Sequence, residues 1–60
     1  MFKVGDRVYY VDNGPDDTGT VIDMTEPTDG WPYYVDWDDP QSETDWYSAN
    51  QLRLVSVPNN

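Results

Sequence analysis

A length of 60 residues allows one domain with one small core, because a chain this short buries only roughly 60% of the surface its unfolded state exposes. Twelve Asp and Glu against three Lys and Arg leave a formal charge of −9, and that field opposes direct contact with DNA, RNA or an anionic membrane. Without histidine or cysteine the chain has no imidazole, no thiolate and no disulfide, which argues against an enzyme.

Aromatic residues make up 15% of a chain that is only 37% hydrophobic, so large rings must supply much of the buried area. Regularly spaced Val, Tyr and Trp clusters separate the sequence from acidic disordered tails. The opening Met1-Phe2-Lys3-Val4-Gly5-Asp6 has no basic segment followed by an apolar run. No stretch approaches membrane-spanning length. A soluble cytoplasmic protein without a cofactor is expected.

No segment holds apolar residues at helical spacing, whereas short β-forming runs alternate with Gly, Pro, Asn and Asp, so the expected class is all-β. A first strand is expected over Arg7 to Val11, with Val8 and Tyr10 on one face and Arg7, Tyr9 and Val11 on the other. Residues Asp12 to Asp17 carry turn formers at nearly every position and read as a loop. Thr18 to Met24 reads as a second strand, and Glu26-Pro27-Thr28-Asp29-Gly30 as the turn after it. Pro32 to Trp37 alternates most clearly: Tyr33, Val35 and Trp37 face the core, Tyr34, Asp36 and Asp38 the opposite side. A turn at Asp38-Asp39-Pro40-Gln41-Ser42 precedes a fourth strand from Glu43 to Tyr47. Ser48 to Leu52 has room for about one turn of 3₁₀ helix before a fifth strand, Arg53 to Val55. One domain over residues 1–57 and a frayed tail at 58–60 are expected. Five short strands with no room for two sheets point to a small, strongly bent barrel.

Val4-Gly5-Asp6-Arg7-Val8, Gly19-Thr20-Val21, Tyr34-Val35-Asp36-Trp37-Asp38 and Leu52-Arg53-Leu54-Val55 resemble the SH3-like barrels. Among these the chain is most similar to the group holding KOW, Tudor-like and Mib/Herc2-type modules and small photosystem and reductase subunits. The resemblance runs from Val4 to Val55 and implies a small five-stranded SH3-like barrel with a binding role and no catalytic residue. KOW-type modules that meet RNA or ribosomes are typically basic, and this chain departs from them by carrying acids at its loops and strand exits.

Alternation assigns Val8, Tyr10, Val21, Met24, Val35, Trp37, Leu52 and Leu54 to the core and leaves Tyr9, Trp31, Tyr34 and Trp46 partly outside. Two readings compete for the outer rings: packing over the barrel ends, or a surface that attracts cations through ring quadrupoles and neighbouring carboxylates. The acids Asp36, Asp38, Asp39, Glu43 and Asp45 straddle the turn at Pro40, and Asp12, Asp16 and Asp17 form another patch. Such runs either form a solvated rim, steer a basic partner, or imitate nucleic-acid phosphates.

Calcium fits poorly, since an EF-hand loop starting at Asp36 would place Gln41 where glycine belongs and Tyr47 where glutamate belongs. Ser42, Ser48 and Ser56 have no histidine partner, Lys3 lies outside every expected strand, and a barrel this small is expected to lack a concave site for carboxylate-pair hydrolysis.

The reading that best combines these features is a non-catalytic interaction module. Trp31, Tyr34 and Trp46 would anchor a basic protein surface or peptide, and Asp36, Asp38, Asp39, Glu43 and Asp45 would steer it. The alternatives are a nucleic-acid-mimicking inhibitor, as small acidic phage or mobile-element proteins often are, and an accessory subunit whose acids only solubilise it. A monomer or a weak homodimer is expected, because exposed rings on an edge strand favour pairing and the net charge opposes it.

Overall fold

Five strands form where turn residues leave β-branched and aromatic runs: β1 (Arg7–Tyr10), β2 (Thr18–Met24), β3 (Tyr33–Trp37), β4 (Asp45–Tyr47) and β5 (Leu52–Leu54). A single 3₁₀ turn, Ala49–Gln51, precedes β5, and the described residues contain no α-helix. The computed structural model of the chain describes residues 2–26, 28 and 30–55. The expected domain limit at 57 and the fraying at 58–60 lie outside those residues. No helix among the described residues is long and apolar enough to cross a membrane.

The strands join in one antiparallel sheet of order β4-β3-β2-β1-β5, curled into a half-barrel compatible with an SH3-like barrel. The Tyr10 and Tyr47 rings show the curl directly. β1 and β4 are not neighbours in the sheet, yet these two side chains meet across its inner face at 5.7 Å between centroids.

Val8, Val21, Tyr33, Val35 and Leu52 form the core, with Phe2, Met24, Trp37 and Tyr47 packed against it. Burying each large apolar side chain contributes about 1.5–3 kcal/mol. The alternation expected in β3 is present: Tyr33 and Val35 are buried, Trp37 is half-buried over the core, and Asp36 is exposed. Phe2 meets Tyr33 edge-on at 5.1 Å and covers part of the core.

Val21 and Met24 both turn inward although they are three residues apart, because the β2–β3 register shifts between Val21 and Asp23. Ile22 is the extra residue of a β-bulge, so Asp23 stands opposite Tyr34 and Met24 opposite Tyr33. The bulge leaves Ile22 exposed.

Two expectations about burial need correction. Leu54, expected in the core, is 56% exposed: it stands opposite Val8 on β5, an edge strand with no neighbour on its far side. Tyr10 is only half-buried, because its ring lies at an open end of the half-barrel. Strand limits shift by one or two residues. β1 stops at Tyr10, where Val11 enters a turn, β4 begins at Asp45, and β5 begins at Leu52.

Candidate functional site

At one end of the half-barrel the β1–β2 and β3–β4 loops rise on either side of the inner face and enclose a groove of about 690 Å³. The sequence excluded a cleft for carboxylate-pair hydrolysis and left the place of a cation-attracting surface open. The groove exists because the curl brings the end of β1, the start of β2, the end of β3 and the start of β4 to one rim.

Tyr10, Trp37 and Tyr47 supply its aromatic wall. Trp37 and Tyr47 meet edge-on at 5.5 Å, and the Trp37 indole Nε1–H donates to the Tyr47 hydroxyl oxygen at 3.2 Å. Tyr47 in turn contacts Tyr10, so the three rings form a continuous surface. Trp37 lies directly over Gly19, its cross-strand partner, whose missing side chain lets the indole settle against the β2 backbone.

Asp16 and Asp17 approach the groove from one loop, Asp38, Asp39 and Glu43 from the other, and Asp45 from the start of β4. Six of the chain's 12 acids therefore converge here, and no Lys or Arg is among the groove-lining residues. Asn13, Thr18 and Ser42 complete the lining. The loop shapes are set locally. Gly14 adopts a positive φ of 84° and its N–H reaches the Tyr10 carbonyl, while the Asp39 carboxylate accepts the Gln41 N–H at 3.0 Å.

One of the six charges is compensated. The Arg7 guanidinium grips Asp38 with both terminal nitrogens, one bond measuring 2.9 Å, and also donates to the Thr18 and Thr20 hydroxyls. Thr18 donates to Asp38 in turn at 2.7 Å. The Arg7 bonds, and after them the Thr18 bond, hold the Asp38 carboxyl at about 2 against an ordinary 3.8. The same pairing raises Arg7. Asp16, Asp17, Asp39, Glu43 and Asp45 form no ion pair among the described residues.

The residues expected to act together are divided between two faces. Asp38, Asp39, Glu43 and Asp45 line the groove. Tyr34 and Trp46 face each other across β3 and β4 on the convex side, and Asp36, two residues from Tyr34, shares that side. Trp31 precedes β3 and is 64% exposed, apart from the groove. Tyr10, Trp37 and Tyr47 were not singled out as site residues, since inward alternation marks a residue as core and does not reveal that the barrel is open at that end.

Among the described residues no three His, Cys, Asp or Glu side chains are placed to hold a metal ion. No protein-family model matches the chain, and no significant match is found among curated proteins or solved structures.

Proposed function

We propose that the chain is a non-catalytic interaction module that takes a basic segment of a partner protein into the groove at the end of the half-barrel. The observation that carries this reading is that six acidic residues, five of them outside any ion pair among the described residues, line a groove walled by three rings, with no Lys or Arg in its lining. A Lys or Arg side chain over such rings gains about 0.5–2 kcal/mol from the ring quadrupole. Carboxylates within a Debye length of ~8 Å speed its encounter at low salt. The resemblance to Tudor-like modules agrees with a cation-receiving role. Imitation of nucleic acid by a phage-type inhibitor fits less well, because duplex phosphates line a convex surface and these acids surround a concave aromatic one.

The test is calorimetric titration with an octa-arginine peptide at low and high salt, on the wild-type chain and on the triple variant Asp39→Asn, Glu43→Gln, Asp45→Asn. Loss of three exposed charge contacts is expected to weaken binding roughly tenfold and flatten its salt dependence. Equal affinities in both proteins would leave the acids as a solvated rim, as an accessory subunit would carry them. Release of nucleic acid from a DNA- or RNA-binding enzyme by the wild-type chain, but not by the triple variant, would favour mimicry instead.

A further inference from the structure

Half-buried rings on the outward side of a small antiparallel sheet are unusual, since that side is ordinarily polar. Here Tyr34 and Trp46 stack at 4.6 Å with their planes 33° apart, on the face opposite Val35 and Tyr33. The bulge at Ile22 completes the patch by turning Asp23 outward, directly opposite Tyr34 on the neighbouring strand. Asp36 lies two residues further along β3 on the same side, and among the described residues its carboxylate accepts only the Thr44 hydroxyl, at 3.5 Å. Neither Asp23 nor Asp36 forms an ion pair among the described residues. Arg7, the nearby strand cation, is committed to Asp38.

We infer that the Tyr34–Trp46 stack, flanked by Asp23 and Asp36, is a second receptor for a cationic side chain, so that one chain engages two basic segments at once. Charge complementarity selects the occupant: two carboxylates beside two π faces favour a guanidinium or ammonium group and repel an anion. The inference is independent of the groove, sharing with it neither rings nor carboxylates. The two sites lie on opposite faces of the sheet. A tetra-arginine peptide, with a backbone of at most about 14 Å when extended, is a short probe whose occupancy of each site is read at that site's own indole.

That peptide is therefore the probe, titrated into the ¹⁵N-labelled chain at physiological salt while the Trp37 and Trp46 indole N–H signals are followed separately by NMR. Both signals are expected to move and saturate along their own isotherms. Tyr34→Ser should weaken the Trp46 isotherm by roughly fivefold or more and leave the Trp37 isotherm within about twofold. The amide spectrum of the variant reports that the fold is kept. Saturation at Trp37 with a silent Trp46 overturns the second site and leaves the groove reading intact. So does a Trp46 response that ignores Tyr34→Ser, or one that vanishes in the double variant Asp39→Asn, Glu43→Gln, which leaves the Asp45 bond to the Trp46 N–H in place. Saturation at Trp46 with a silent Trp37 upholds the second site and removes the groove reading, and silence at both removes both.

Discussion

The six-membered ring of Trp37 lies 2.7 Å from the point where a Cβ on Gly19 would stand, and the Asp36 carbonyl oxygen and a Val35 methyl lie within 2.9 Å of the same point. The carbonyl oxygen belongs to the β3 backbone and cannot swing away, so an added methyl pushes β2 and β3 apart as well as lifting the indole. Gly19→Ala is expected to cost about 1–3 kcal/mol through overpacking. In a domain this size that lowers Tm by at least about 4 °C, and thermal unfolding followed by circular dichroism measures it. An unchanged Tm would mean that β2 and β3 yield freely at this point and that Trp37 is not seated by its partner.

Tyr47→Phe tests the wall from the other side. It removes the acceptor of the Trp37 indole N–H while keeping the ring contacts to Trp37 and Tyr10. A loss of about 0.5–1.5 kcal/mol in urea unfolding is expected, together with faster hydrogen exchange at the Trp37 indole. Exchange at the wild-type rate would show that the hydrogen bond does not hold the indole.

The two leucines of β5 should behave oppositely. Leu52 is 1% exposed, and Leu52→Ala leaves a cavity worth about 2–5 kcal/mol, enough to unfold much of the population of so small a domain. Leu54→Ala, at the open edge, should stay within about 0.5 kcal/mol. Denaturant midpoints of the two variants decide the matter, and similar losses would place Leu54 back in the core.

Acid should release the Arg7–Asp38 grip late. The folded-state pKa of Asp38 is depressed, so the contribution of the pair is complete above the ordinary value of 3.8 and disappears as pH falls from there through about 2. Arg7 keeps its charge throughout. An NMR titration of the Asp38 carboxyl carbon is expected to show its midpoint near the lower limit. In Arg7→Gln the midpoint should move back toward the ordinary value, and a midpoint indifferent to Arg7 would show that the pair does not persist in solution.

The strands, the 3₁₀ turn and most of the core were legible because β-strands write their burial at a period of two residues. Tyr33, Val35 and Trp37 illustrate it. Three things were not legible. The bulge at Ile22 depends on pairing with β3, which no local pattern encodes. Exposure of Leu54 depends on β5 lying at an edge, a property of strand order. The groove required knowing that two loops 20 or more residues apart rise beside one open end, so that inward-facing Tyr10, Trp37 and Tyr47 remain accessible. Choosing anchors by outward alternation therefore found Tyr34 and Trp46 and overlooked the other face.

Ile22 acts as a spacer that resets the phase of the β2–β3 hairpin. Were Ile22 paired in regular register instead of bulged, Asp23 would turn inward and Met24 outward, a frameshift written in three dimensions instead of in codons. A single supernumerary residue thus decides which half of the hairpin is wet.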